Sequence, residues 1–391
     1  MNRFLKFVSD FSAKRYELTL KKLAEEKIPC AIFVPTATID QKNSMISQLQ
    51  QSGINLTTLF TIDKEDLENP PQVFQTIQFP LSSFSHLKNE IKFVFLARNI
   101  VSFVAQQRFL ELGIEPIIFD DGNFPRAQFN FYMSHIEDVF RIYKDVVDDE
   151  SRRELMGYML QLISRRVSFC KFAPQSQYLL NGFLPQAGDI MIDGGACDGA
   201  TAEMFTQLGC KVYAFEMETN FFNDTKKLAN ERGFVVENLG LADSPREVGY
   251  KTLGSASSLY LNAIAPDGSP KAQLTTIDLY VREKKLPSVD FIKLDTEGAE
   301  LAILKGSVDT ITRFKPKMAL SAYHKPEDIW TLVDFIRSIR SDYEFAFRHS
   351  ETTVDNAPFL FYKNQYLFDF CKRFCLPMRY SSGHELVLFA R

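Results

Sequence analysis

Hydrophobic and polar positions along the chain form short apolar runs separated by segments of helical period, the alternation that builds parallel α/β sheets. Ala31 to Val34 reads as a buried strand and Thr38 to Gln51 as a helix ending at Gly53. Thr57 to Ile62 and Glu90 to Leu96 read as further strands, Ser102 to Leu112 as a helix closed by Gly113, and Pro116 to Phe119 as a strand running into Asp120-Asp121-Gly122. The turn after the first strand, Pro35 to Thr38, has none of the glycines that let a backbone close on a pyrophosphate. Residues 1–145 are therefore expected to form a smaller, degenerate Rossmann-like α/β domain that binds no nucleotide. A helical linker is expected over 146–185, with charges at Asp148, Asp149, Glu150, Arg152 and Arg153. A second α/β domain is expected over 186–391.

The second unit repeats the pattern with chemistry attached. Asp189 to Asp193 is an apolar strand, followed by Gly194-Gly195-Ala196-Cys197-Asp198-Gly199 and a helical Ala200 to Leu208. Strand, glycine turn and helix place a ligand at a helix start beside the strand ends. The spacing is not the dinucleotide Gly-x-Gly-x-x-Gly. Asp193 and Asp198 flank the turn with carboxylates, which repel a pyrophosphate and suit a cofactor carrying a sulfonium and an ammonium group. The next strand, Lys211 to Phe215, ends in Glu216, 21 residues after Gly195, where a carboxylate meets ribose hydroxyls.

Composition narrows the classes. A length of 391 residues suits two domains, and 45% hydrophobic with 24% charged residues is ordinary for a globular protein. A net charge of -4 gives no electrostatic case for nucleic acid. Met1 to Asp10 lacks a signal-peptide core, and the most apolar stretch, Ile91 to Ala105, is interrupted by Arg98 and Asn99 and too short to span a bilayer. Cysteines at 30, 170, 197, 210, 371 and 375 form no disulfide or zinc framework, which fits buried thiols in a reducing cytoplasm. Cytoplasmic location and no membrane span are the expectations.

Several ordered blocks resemble the FkbM family of S-adenosylmethionine-dependent methyltransferases: Met191 to Gly199, Val212 to Glu216, Gly240 to Asp243, Gly254 to Ser258, Leu274 to Asp278, Asp290 to Gly306 and Ser321 to Asp328. The resemblance covers about residues 174 to 350, with a weaker echo near His384 to Ala390. It implies a Rossmann-like class I methyltransferase domain with a mostly parallel seven-stranded sheet, S-adenosyl-L-methionine as cofactor, and transfer of its methyl to a hydroxyl oxygen. Carried over, Asp193, Gly195 and Gly199 make the cofactor turn, Glu216 holds the ribose and Asp243 meets the adenine amino group, while Asp198 is a cofactor-binding candidate from its place at the turn alone. Cys197, Asp198 and Met217 depart from the family's usual residues. A hydroxyl on a sugar, glycan or glycosylated small molecule is the acceptor implied by the resemblance alone.

Phe291 to Asp295 reads as a buried strand delivering Asp295, Glu297 and Glu300, with a helical Ala299 to Lys305 stopped by Gly306. Ligands of an open parallel sheet sit beyond the carboxyl ends of its strands, so Asp193, Glu216, Asp243, Asp295 and His324 are expected on one edge. An alcohol acceptor loses a proton, and an imidazole titrates near neutrality. His324, after the strand Met318 to Ala322, is thus the first candidate base; the alternative is a helix cap bonded to Glu327 or Asp328. Asp295 is the second candidate base, or the group that orients the acceptor. Glu297 and Glu300 with Asp295 offer a divalent metal site, but three acids on a turn more often cap and face solvent, so no metal is expected. Lys293 and Lys305 read as structural, and His86, His135 and His384 stay unassigned. Arg348-His349, Phe359 to Tyr362 and Tyr366 to Phe374 are candidates for lining the acceptor pocket. Two rival readings stand beside methyl transfer: an NAD-dependent oxidoreductase, and a non-catalytic module that binds the cofactor. Homo-oligomerisation is left open.

Overall fold

A computed structural model describes residues 2–35, 39–61, 75–78, 90–97, 100–169, 177–250, 269–349, 352–353, 379–380 and 385–391. Two helices open the chain, α1 (Asn2–Ala13) and α2 (Tyr16–Glu25). Then come β1 (Cys30–Phe33), α3 (Ile39–Gln51), β2 (Leu56–Thr61), β3 (Gln75–Gln78), β4 (Phe93–Leu96), α4 (Ile100–Glu111) and β5 (Glu115–Ile118). The five strands form one parallel sheet in the order β3-β2-β1-β4-β5. Helices α2 and α3 cover one face through Leu23, Met45 and Leu49. On the other, Phe109 of α4 meets the rings of Phe33 and Phe60. The Rossmann-like expectation for this unit holds in its parallel order. Thr36 to Thr38 of the glycine-free turn lie outside the described residues.

Three helices follow: α5 (Asn123–Ser134), α6 (Ile136–Asp145) and α7 (Asp149–Ser164). The expected helical linker is helical over α7 but does not behave as a linker. Leu155, Tyr158, Met159, Leu162 and Ile163 are buried, and they share one apolar cluster with Phe4, Phe7 and Phe11 of α1 and with the C-terminal sheet. The i, i+3, i+7 spacing of those phenylalanines gives α1 its single buried stripe. The line drawn near residue 145 therefore falls between two helices of one core. At its far end α7 meets the first sheet, where the buried Arg165 guanidinium bonds Asp120 at 3.0 Å and its carbonyl accepts the Ile118 N–H at 2.9 Å.

The C-terminal unit runs β6 (Ile190–Gly194), α8 (Ala200–Gln207), β7 (Lys211–Phe215), α9 (Thr219–Arg232), β8 (Val235–Glu237), β9 (Gly240–Leu241), β10 (Arg246–Gly249), β11 (Lys271–Thr275), α10 (Ile277–Lys284), β12 (Phe291–Leu294), α11 (Glu300–Lys305), α12 (Val308–Phe314), β13 (Lys317–Ser321), α13 (Asp328–Ile339) and β14 (Phe345–His349). A short pair, β15 (Thr352–Thr353) and β16 (Arg379–Tyr380), precedes β17 (Leu386–Ala390). Seven strands form the main sheet in the order β8-β7-β6-β12-β13-β17-β14. β17 runs antiparallel between β13 and β14 and the other described pairings are parallel, the mostly parallel α/β arrangement expected. Side chains alternate across it. Ile190, Ile192, Ile292, Leu294 and Leu320 face α7 and the helices from α10 onward, whereas Met191, Ala214, Phe291 and Ala319 face Ala202, Phe205 and Ala229 of α8 and α9. Among the described residues, no helix is long and apolar enough to cross a membrane.

Arg348 and His349, expected near the acceptor, instead clamp β14 to α7. Arg348 bonds Asp148 at 2.8 Å and Ser151 at 2.7 Å, and the His349 N–H donates to the buried Glu154 at 2.5 Å. Truncating a buried ion-pair partner strands the other charge, although Asp148 is 38% exposed, which screens part of the loss. Arg348→Ala is expected to lower stability by about 2 kcal/mol, read from urea midpoints. Burial opposes the charge on Asp148, but its bonds to Arg348 and Ser151 outweigh burial and lower its pKa from 3.8 to about 2. Its contribution is therefore complete above about pH 4 and fades as pH falls through 2. Wild type and Arg348→Ala should converge in stability over that window.

Candidate functional site

The carboxyl ends of β7, β6, β12 and β13 lie side by side, and each releases a polar group onto one edge. In the middle, Lys293 of β12 is the register neighbour of Asp193 in β6. Their side chains, 3% and 0% exposed, pair at 2.9 Å, and the ammonium also donates to the Gly195 carbonyl at 2.9 Å. Burial opposes the charge on Lys293, but Asp193 and Asp295 outweigh it and hold its pKa above the ordinary value. This corrects the expected electrostatics of the turn: Asp193 is compensated by Lys293 and is not a free negative charge beside the ligand. Lys293, read as structural, proves to tie β12 to the turn.

The turn itself leaves β6 through Gly195, whose φ of 76° is left-handed and whose added Cβ would collide with the Asp295 carbonyl. Gly199 has φ 82°, and a Cβ there would come within 2.9 Å of Thr225. Cys197 holds φ 48° without being glycine, a costly geometry that concentrates at functional sites. Backbone donors along the turn already have protein acceptors. Gly195 and Ala196 donate to the Phe215 carbonyl at 3.1 and 3.0 Å, and Gly199 to Ala196 at 2.8 Å. Cys197 donates to Glu216 Oε2 at 2.8 Å and Ala200 to Asp198 Oδ1 at 3.2 Å. Glu216 also accepts the Glu218 N–H at 2.8 Å. Desolvation pushes its carboxyl up to about 7, against the pull of those two N–H groups.

Beyond β12, Asp295 is oriented by two tyrosines: Tyr178 donates to Oδ2 at 2.7 Å and Tyr323 to Oδ1 at 3.1 Å. Burial works against its charge, but Lys293, then His324, then the Tyr178 bond keep its pKa below the usual range. Glu300 is 1% exposed; its Oε1 accepts the Thr296 N–H at 2.8 Å and meets His324 Nδ1 at 2.9 Å. The other ring nitrogen, Nε2, lies 3.5 Å from Asp295 Oδ1 and 3.5 Å from Glu297 Oε2. Glu297 takes φ 52° and Gly298 φ 96°, so a left-handed pair bends the chain back toward His324. Burial disfavours the imidazolium, yet the Glu300 bond and the surrounding carboxylates raise its pKa from 6.5 to about 9.

Four of the five residues expected on one edge thus lie at or just beyond the carboxyl ends of adjacent strands. Asp243 is placed differently. It follows β9, which pairs with β11 rather than with the main sheet. Leu241 of β9 still borders Gly194, 3.1 Å from where a Cβ would stand. The Asp243 carboxylate is paired with Arg246 and 43% exposed. His324 is bonded to Glu300, not to Glu327 or Asp328, and it is not the free near-neutral imidazole expected of a base. Tyr178 and Tyr323 were not anticipated. The first sits in an irregular segment with no pattern to flag it, and the second is next to His324 on the same loop. The Gly254 to Ser258 block, both C-terminal aromatic stretches, His86, His384, Cys170, Cys371 and Cys375 lie outside the described residues. His135 stacks on Trp330, 5.2 Å between ring centres.

Removing the ammonium alone leaves Asp193 as a buried uncompensated charge. Lys293→Met should cost about 3–5 kcal/mol of stability. The double variant Lys293→Met with Asp193→Leu should recover most of it, measured by chemical denaturation.

Residues 193–347 match the family model described as methyltransferase FkbM domain. No curated protein matches the chain. Among solved structures, a methyltransferase FkbM from Methylobacillus flagellatus KT is similar at TM-score 0.61 and 16% identity, covering 99% of this chain and 98% of that one. A precorrin-6y C5,15-methyltransferase from Geobacter metallireducens GS-15 reaches TM-score 0.30 at 13% identity, over 56% of this chain and 91% of that one, too slight a likeness to carry weight. The first similarity extends the shared fold over nearly the whole chain.

Proposed function

We propose, proceeding from the FkbM methyltransferase domain that this chain carries over residues 193–347, that it moves the methyl group of S-adenosylmethionine onto a hydroxyl oxygen of a sugar, glycan or glycosylated small molecule. Methyl transfer is the activity of the domain. The cofactor's seat, the acceptor and the residues that serve them are the proposal.

The observation that carries the cofactor reading is the prior engagement of the turn's N–H groups at 195, 196, 197, 199 and 200 by protein acceptors. A diphosphate depends on such donors. S-adenosylmethionine carries no phosphate and needs instead close backbone approach and carboxylates for its hydroxyl and cationic groups. Gly195 and Gly199 supply the approach, Glu216 the ribose acceptor, Asp198 the second acid at the turn, and Asp243 the contact to the adenine. Asp193 supports the turn through Lys293. The same observation argues against the NAD-dependent oxidoreductase.

The reaction is an in-line displacement at carbon, in which the acceptor oxygen forms a bond to the methyl as the sulfur–carbon bond breaks. The acceptor's proton leaves to a base, and holding the partners in line supplies much of the acceleration. Asp295 is the catalytic group of the proposal, and His324 is the residue that positions it. Exposure divides their roles: the Asp295 side chain is 26% exposed and His324 is 6%. Asp295 is the group that meets the hydroxyl, held at its angle by Tyr178 and Tyr323. His324 stands behind it.

Calorimetric titration should give saturable binding of S-adenosylmethionine and of its demethylated product, with none of NAD. Glu216→Ala should weaken cofactor binding about tenfold or more, an effect of about 1.4 kcal/mol. Binding of NAD in preference to S-adenosylmethionine would overturn the reading. In a methyl-transfer assay over candidate glycans, Asp295→Asn should reduce kcat by about 100-fold or more with cofactor affinity unchanged. A loss of cofactor affinity alone would move Asp295 out of the acceptor's reach.

A further inference from the structure

Donors and acceptors around His324 fix its charge. Nδ1 lies 2.9 Å from Glu300 Oε1, which also accepts the Thr296 N–H at 2.8 Å and the Thr296 hydroxyl at 3.1 Å. On the opposite side of the ring, Nε2 is at ion-pair distance, 3.5 Å, from Asp295 Oδ1 and from Glu297 Oε2. The two oxygens of Asp295 accept from Tyr323 and Tyr178, the pattern of an ionised carboxylate. A neutral imidazole carries one bare nitrogen, and here that nitrogen would face a carboxylate oxygen. Only the imidazolium, a donor on both sides, matches oxygens at both ends of the ring.

We propose that Glu300 is a positioning residue for methyl transfer, holding His324 as an imidazolium between Asp295 and Glu297 so that Asp295 stays ionised and turned toward the acceptor. Glu300 is 1% exposed, and among the described residues His324 is its one ion-pair partner. A buried carboxylate and its cation are retained together, because either alone is costly. The same acid fastens the bend that carries Glu297, through its bonds to Thr296. Neighbouring cations are engaged elsewhere: Lys325 donates to the Gly298 carbonyl, and Lys293 pairs with Asp193. Asp328 accepts the Lys325 N–H, and Glu385, just before β17, adds negative charge beside Tyr178 and Tyr323. Without the imidazolium, crowded acids would drive one of their number to take a proton. Burial opposes the charge on His324, and Glu300 is the largest influence that overcomes it, carrying the ring up to about 9. The catalytic consequence rests on the reading in which Asp295 meets the acceptor; the imidazolium and its dependence on Glu300 do not.

The test is a pH titration by nuclear magnetic resonance of full-length protein isotopically labelled at its histidines. The His324 signals are those missing from His324→Gln, or those left when His86, His135, His349 and His384 are replaced in turn. Both ring nitrogens should stay protonated through neutral pH and give up the extra proton only near pH 9. In Glu300→Gln, which keeps the shape and removes the charge, the ring's proton affinity should fall about tenfold or more. In the methyl-transfer assay the same variant should lose about tenfold or more in kcat with cofactor affinity unchanged. The alkaline limb of kcat should move to lower pH by the interval seen in the resonance titration. A merely structural Glu300 would lower stability without moving that limb. Should Glu300→Gln not fold, Glu300→Asp takes its place, with both readouts shifted the same way by less. A neutral His324 at neutral pH, an unmoved titration in the folded variant, or an unmoved limb would overturn the proposal. Failure of methyl transfer on every acceptor tried would strike the parent reading alone, since the resonance titration needs neither cofactor nor acceptor.

Discussion

Lys293 brings an ammonium into the interior of the main sheet at the point where β12 lies against β6, and the ends of both strands are arranged around it. Its ion pair with Asp193 joins register neighbours, and its bond to the Gly195 carbonyl secures the first residue of the turn. Gly195 in turn passes so close to the Asp295 carbonyl that no side chain fits between them. The glycine turn and Asp295 are therefore parts of one rigid joint. A buried pair of this kind is seldom a large net source of stability. Its effect is geometric, because only one register of β6 against β12 brings the two charges together.

From that joint the edge divides into two chemistries. On the β7 side, backbone N–H groups are consumed by Phe215, Glu216 and Asp198, leaving a turn that can approach a ligand closely without offering an anion nest. On the β13 side, carboxylates cluster around His324. Burial and Glu300 also push the neighbouring Asp328 carboxyl up to about 7. The methyl donor and the group that meets the acceptor are proposed to sit on opposite sides of Lys293, which suits a reaction whose rate depends on alignment.

Much of this was legible along the chain. Apolar strand runs and glycine stops located β1, β2, β4, β5, β6, β7, β12 and β13 to within a few residues, because period and turn chemistry are local signals. The mostly parallel α/β class followed from their alternation with helices. Helices α1, α2, α5, α6, α9, α10 and α12 were not expected, although Phe4, Phe7 and Phe11, and Val139, Ile142 and Val146, keep a helical spacing. β3 is too polar, as Gln75–Gln78, to read as a strand. Pairings between distant residues were beyond reach. Nothing near Lys293 in sequence announces Asp193, and nothing near Tyr178 announces Asp295. For the same reason Arg348 and His349 looked available for a ligand, when α7 had already engaged them, and His324 looked like an ordinary imidazole until Glu300 and its neighbours were in place.

The apolar cluster that joins α1 to β17 bears on how the chain reaches this state. Phe4, Phe7 and Phe11 share their core with Leu386, Leu388 and Ala390, while the first sheet, from Cys30 to Ile118, closes between them on contacts of its own. Sequence separations that large make loop closure expensive before any reward arrives, which slows acquisition of the native topology. Until β17 enters, the slot between β13 and β14 exposes two unpaired strand edges, the kind of surface that recruits other chains. Aggregation during refolding is the hazard this arrangement builds in.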